Sequence, residues 1–240
     1  MQQRKADEVA HDLLTRIVSG ELEVGSVLPR EADLADSYGV NRSVVREANK
    51  LLEVHRLVRP TRRKGTEVLD PLRSVTPAVL SAMLVDARGD IDAEMLAEFL
   101  ELRAVLDVEM TRLAAERRTD EEFSEIERLV GELMLAEPGS DEAFEVVNEF
   151  GLAIAKASHN RIFVMLSHWH RQIAQHIQPL LSRVRARAVQ AGGYELLLDA
   201  LRRRDRALAG ELVSQFHRFA NAQILEECHA RNRRQHPEKH

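Results

Sequence analysis

The chain has 240 residues, 44% hydrophobic and 30% charged, which suits a packed globular protein and excludes a disordered one. Aromatics make up only 4%, while Leu, Ala, Glu and Arg are abundant, a mix that favours helix over sheet. The single cysteine, Cys228, excludes a disulfide framework and a cysteine-based zinc site. The opening MQQRKADEVAHDLL has no apolar run of signal-peptide length, and no stretch is apolar enough to span a bilayer, so a cytoplasmic protein is expected.

The first predicted element is an amphipathic helix over 3–19, with Val9, Leu13 and Ile17 at helical spacing and Ala6 and Ala10 beside them. Gly20 stops it, and GELEVGSVLPR reads as a loop. A short helix from Glu31 to Tyr38 follows, then a tight turn at Gly39-Val40-Asn41. Asn41 is the expected N-cap of a helix from Arg42 to Val54. That helix turns Val44 or Val45, Ala48, Leu51 and Leu52 inward and Arg42, Ser43, Arg46 and Lys50 largely outward. Leu57–Pro60 and Thr66–Leu69 are β-like runs around a basic hairpin tip, Thr61-Arg62-Arg63-Lys64-Gly65. Asp70-Pro71 breaks the chain, and the domain boundary is placed there: 1–70, then an all-helical domain over 75–232. Its predicted helices are 75–87, 91–117, 120–136, 141–158, 160–187, 190–203 and 205–232. Thr119 and Glu122 match a capping box, and Gly89-Asp90, Pro138-Gly139, His159-Asn160 and Gly192-Gly193 are break signals. The tail from Asn232 to His240 is polar.

Charge is distributed unevenly. Net charge is −5, yet Val40–Thr66 holds eight basic residues against two acidic ones. A compact basic block inside an acidic chain is either a solvated face or an electrostatic footprint for nucleic acid. The order of elements favours the second. Two short helices around a Gly-containing turn form a helix-turn-helix, whose second helix enters the major groove of double-stranded DNA with its N-terminal residues at base edges. Arg42, Ser43 and Arg46 stand at that end. The basic hairpin after it is placed as a wing reaching phosphates or the minor groove.

LPREADLADSYGVNRSVVREANKLLEVHRLVRPTRRKGTEV resembles the DNA-binding domain of the GntR family, a likeness that spans roughly residues 7–69. It rests on the Leu-Pro-x-Glu start, the Gly-Val-x-Arg-Ser/Thr-x-Val-Arg-Glu recognition helix and the Gly-Thr-x-Val wing end. The resemblance implies DNA contacts from Arg30, Arg42, Ser43 and Arg46, with Lys64 and Gly65 at the wing tip, and Asn41, Lys50, Arg62 and Arg63 beside them in the same basic stretch are expected to contact DNA as well. Two departures stand out: Ala32 where the family often has arginine, and Arg63 where the wing usually has glycine. The expected fold is mainly α: a winged helix-turn-helix with a small β-hairpin, then an all-α helical bundle.

The second half resembles the FadR-type (FCD) subfamily, through ELRAVLDVEMTRLAAERRTDEEF, EFGLAIAKASHN and LLLDALRRRDRALAGELV. Arg103 stands out from its own surroundings. It sits on a stripe of Leu96, Phe99, Leu100, Leu106, Met110 and Leu113, and an arginine on a buried face needs an anionic partner. That partner is either Asp107, one turn on, or an acidic group of a ligand; the resemblance favours the ligand. Many members of the subfamily hold a metal with one Asp and three His. Alignment puts Val147, Gly151, Tyr194 and Phe216 at those places, so no metal and no cofactor are expected. His168, His170, His176 and His217 are read as surface or pocket-edge residues, although a one-residue register change would return His217 to a ligand position.

The pocket residues implied are therefore Arg103, Val147, Gly151, His170, Tyr194, Phe216 and His217. An apolar cavity with an anchoring arginine suits a fatty acid or long-chain acyl-CoA, as in the subfamily's metal-free namesake; a sugar acid or other small carboxylate is the alternative. A homodimer on a pseudo-palindromic operator is implied, as repressor or activator. No phosphate loop, nucleophile elbow or H-E-x-x-H motif occurs, so an enzyme is not expected. A remaining alternative is an all-α scaffold whose basic block binds RNA, a membrane or nucleic acid without sequence preference.

Overall fold

A computed structural model describes residues 2–86, 88–137, 139–178, 180–181 and 193–235. The chain divides into two units, Met1–Asp92 and Ala93–His240. Gly192 and parts of the expected helices over 160–187 and 190–203 lie outside the described residues, as do Pro138 and the end of the tail.

In the first unit, α1 (Gln2–Val18) buries Ala6, Val9, Ala10, Leu13, Leu14 and Ile17, the face its periodicity predicts. Helix α2 (Glu31–Tyr38) buries Leu34 and Ala35 and ends on Gly39 in the left-handed region (φ 61°). Helix α3 (Arg42–Val54) buries Val44, Val45, Ala48 and Leu52, while Leu51 is only partly covered. Both valines face inward, so the stripe is wider than one row of side chains. Asn41 takes the N-cap position with extended backbone, but its side chain makes no capping hydrogen bond.

The hairpin pairs β1 (Val58–Thr61) with β2 (Gly65–Val68), antiparallel, Val58 opposite Val68 and Thr61 opposite Gly65. Each strand is displaced by one residue from the expected run. Leu57 N–H is drawn back to Leu52 O at the end of α3, and Leu69 N–H donates to Leu57 O below the paired rows. The loop before α2 adds a third edge: Leu28 N–H donates to Thr66 O, Val68 N–H to Ser26 O and Gly25 N–H to Val68 O. Helix α4 (Pro77–Leu84) is shorter than the expected 75–87 and lies against α1, adding Val79 to the same core. The first unit thus runs on through 71–92, past the break at Asp70-Pro71.

The second unit contains α5 (Ala93–Arg117), α6 (Asp120–Leu135), α7 (Asp141–Ala157), α8 (Arg161–Ala174), α9 (Gly193–Arg202) and α10 (Arg206–Gln235). The capping box is present: Glu122 N–H donates to Thr119 Oγ1 (3.1 Å) and Thr119 N–H to Glu122 Oε2 (2.8 Å). Ser140 and Asn160 cap α7 and α8. Small residues let α5 and α10 run close together, with Ala114, Ala115 and Ala209 fully buried between their neighbours.

Of the α5 stripe, Leu96, Phe99, Leu100 and Met110 are buried, whereas Leu106 and Leu113 are half-buried. Leu106 packs against the core of this unit and also lines a cavity. Arg118, 5% exposed, closes the helix ends: Nε donates to Leu201 O and Nη2 to Arg202 O, each at 3.0 Å. Among the described residues no helix is long and apolar enough to cross a membrane.

Candidate functional site

The outward face of α3 follows from its inward one. With Val44, Val45, Ala48 and Leu52 buried, Arg42, Ser43, Arg46 and Lys50 are left exposed, and Asn41 and Arg30 are exposed beside them. Arg46 is not loose. Its Nε donates to Glu31 Oε2 on α2 at 2.7 Å, which leaves the outer edge of the guanidinium free of that bond. Lys50 Nζ pairs with Glu47 Oε1 at 2.9 Å. Both pairs are exposed, so each orients a side chain more than it stabilises the fold.

Arg62, Arg63, Lys64 and Gly65 are all exposed at the hairpin tip. Arg63, which replaces the usual glycine, takes the left-handed conformation that glycine would favour (φ 66°), at a cost of roughly 1–2 kcal/mol. The turn is thereby kept and a cation added. Gly65 has no such freedom: its φ is 105°, and a Cβ there would stand 2.7 Å from Val27 Cγ1. Ala32 is half-buried and offers no polar group.

In the second unit α5, α7, α8, α9 and α10 enclose a cavity of about 350 Å³. All seven residues singled out from the sequence line it: Arg103 from α5, Val147 and Gly151 from α7, His170 from α8, Tyr194 from α9, and Phe216 and His217 from α10. The walls are largely apolar, with Leu106, Met110, Phe150, Leu166 and Trp169 among them. Aromatic contacts set their shape: Phe99 stacks on His170 with centroids 5.4 Å apart, and Phe150 meets Tyr194 edge-on at 5.3 Å.

One polar cluster is let into these walls. Arg103 Nε donates to Asp107 Oδ2 at 3.2 Å, and His217 Nε2 lies 3.0 Å from the same oxygen. Side-chain exposure falls from 27% at Asp107 through 15% at Arg103 to 4% at His217. Burial disfavours the Asp107 carboxylate, but the charge of Arg103, the hydrogen bond and charge of His217 and the charge of His170 outweigh it, holding the group well below the usual carboxylate range. The i+4 pair anticipated for Arg103 is therefore formed, and the same arginine also faces the cavity. It uses Nε alone; among the described residues its two Nη groups make no hydrogen bond.

Asp107 as the hub, and His217 as its second partner, were not legible in the chain. The two are 110 positions apart, and a histidine on a long helix gives no signal of what it touches. His168 and His176 are exposed. Among the described residues no group of three or more His, Cys, Asp or Glu is placed to hold a metal ion.

The two units match two family models: "Bacterial regulatory proteins, gntR family" over residues 5–68 and "FCD domain" over 98–218. Among curated relatives, the Galactonate operon transcriptional repressor of Escherichia coli (strain K12) is 29% identical over 170 residues, 70% of this chain and 72% of that protein. The HTH-type transcriptional regulator LutR of Bacillus subtilis (strain 168) is 30% identical over 165 residues, 69% of this chain and 70% of the other. The Uxu operon transcriptional regulator of Escherichia coli (strain K12) is 32% identical over 168 residues, covering 68% and 62%. A solved structure described as "Lar controls the expression of the Listeria monocytogenes agr system and mediates virulence" shares the fold, with a TM-score of 0.61 and 17% identity over 92% of this chain and 96% of that one. With a gntR-family model on its first unit and an FCD model on half of its length, the chain belongs to the GntR family of bacterial transcription regulators, in the FCD subfamily.

Proposed function

We propose that this regulator binds a pseudo-palindromic operator as a homodimer and that an amphiphilic anion, a fatty acid or long-chain acyl-CoA, controls the binding from the helical cavity. The observation that carries the effector reading is the state of Arg103. It is anchored through Nε to Asp107, so its Nη edge is preorganised for a bidentate grip on a carboxylate or phosphate. The cavity walls are largely apolar and aromatic, which suits an acyl segment. On this reading Val147, Gly151, Tyr194 and Phe216 shape the apolar wall, and His170 and His217 stand at the polar end. The protein acts on the chromosome, in the cytoplasm.

A second reading is a small carboxylate such as a sugar acid. The name of the galactonate-operon relative favours it, as do Thr111, Asn148, Ser167 and Gln215 on the lining. The effector shifts the population between arrangements of the DNA-binding units that fit or miss the half-site spacing.

Gel-shift titration on the gene's own upstream region, at fixed salt, separates these readings. Release by a long-chain acyl-CoA supports the first, and release by galactonate but not by the acyl-CoA supports the second. The same assay tests the DNA contacts. Arg46→Ala should weaken operator binding by about 1–3 kcal/mol and relax discrimination, whereas Lys64→Ala should weaken all DNA about equally. Equal loss on operator and random DNA for Arg46→Ala removes that residue from base reading.

A further inference from the structure

With both imidazoles uncharged, the polar end of the cavity is electrically balanced. It holds one guanidinium, Arg103, and one carboxylate, Asp107, which shares a single oxygen between Arg103 Nε and His217 Nε2. An incoming carboxylate on the Nη edge of Arg103 would set two anions against one cation inside apolar walls. Such an imbalance is costly where water is scarce, and His217 is only 3% exposed. Asp107 cannot withdraw, because it rides on α5 beside Arg103 and is bonded from α10 on its other side.

The cluster itself contains the remedy. The titratable or charged groups that face His217 across the cavity are Arg103 and Asp107 from α5, His170 from α8 and Tyr194 from α9. The part of α7 that lines the cavity brings no titratable group. His217 is the imidazole already hydrogen-bonded to the carboxylate, so a proton on it adds the missing positive charge at the point of need. His170 lies flat on Phe99 and interacts with Asp107 only through its charge.

Resting on the anion-binding reading of this cavity, we infer that effector binding is proton-coupled: the His217–Asp107 pair takes up one proton when a carboxylate seats on Arg103. The proton belongs to the pair as a unit, since the two groups share one hydrogen bond. The sign follows from linkage. Loading the site raises proton affinity, so binding is tightest at the acid end of the histidine range and weakens as pH rises through the loaded pair's titration. A regulator built in this way reads acid and metabolite together.

The test is calorimetric titration of the full chain with decanoate, and separately with D-gluconate, at about pH 6, 7 and 8, spanning the range in which imidazoles titrate. Two buffers of very different ionisation heat are used, neither of them a carboxylate or phosphate. The expected result is a buffer-dependent heat equivalent to as much as about one proton per anion, with Kd rising up to about tenfold per pH unit. In His217→Gln, which keeps an N–H for Asp107 but does not titrate, both effects should vanish and the anion should bind weakly at every pH. Binding with a buffer-independent heat and a flat Kd overturns the coupling and leaves the anion site standing. Undiminished proton uptake in His217→Gln overturns the assignment to this pair. Failure of both anions to bind at about pH 6 overturns the coupling together with the site.

Discussion

Arg103→Met is expected to abolish the effector response and leave operator binding in place, at a stability cost of about 3 kcal/mol. Breaking a buried ion pair from one side strands the other charge, and Asp107 would be left with His217 alone. The cost stays at the lower end for such pairs because Asp107 keeps 27% of its side-chain exposure. Its carboxyl is held below the usual range, so its contribution is present at neutral pH and is lost only as pH falls below the ordinary carboxylate value, about 4. The variant loses part of that contribution at every pH where Asp107 is ionised. Chemical denaturation reads the stability, and gel shifts with and without the acyl-CoA read the response. Arg103→Lys sharpens the comparison, since it keeps a charge but not the fork, and should restore stability more than response. A variant that unfolds outright shows that the pair with Asp107 is the residue's whole task. One that folds and still responds places the anchor elsewhere.

The other buried arginine should behave in the opposite way. Arg118→Met is expected to cost about 3–5 kcal/mol of stability and to change neither operator affinity nor effector response in the protein that remains folded. Arg118 donates to the carbonyls of Leu201 and Arg202 at the end of α9, pairs with Asp120 at 2.9 Å and lies 4.3 Å over the Phe123 ring. Methionine fills part of the space but takes the guanidinium donors from both carbonyls of the α9 terminus, of which Leu201 O keeps the Arg204 N–H. Thermal unfolding reads the loss. A change under about 1 kcal/mol shows that water replaces the guanidinium without penalty. An altered effector response with unchanged stability would move Arg118 from the fold to the site.

These two arginines also mark how far the chain could be read on its own. Arg103 was visible because it interrupts an apolar stripe, and a charge at a covered position asks for a partner from local spacing alone. Arg118 was not visible. It stands in Glu116-Arg117-Arg118-Thr119-Asp120, which reads as an ordinary charged helix end, and its partners lie 83 and 84 positions away.

The same division runs through the whole fold. Helical periodicity, capping residues and glycine stops act within a few residues, so α1, α2, α3, α5, α6 and α7 were legible to within about two residues at each end. The basic outer face of α3 follows from its inner one, and the seven residues expected from the sequence all line the cavity. Tertiary structure alone decided what depends on distant atoms. It set the one-residue shift of the wing strands through Leu57, the third edge built from the loop before α2, the place of α4 on the first core and the meeting of Asp107 with His217. Apart from the bonds of Leu57 to Leu52 and Leu69, which are nearer neighbours, each of these is a hydrogen bond or a packing choice between segments far apart in sequence, and side-chain spacing carries no record of which distant group will arrive.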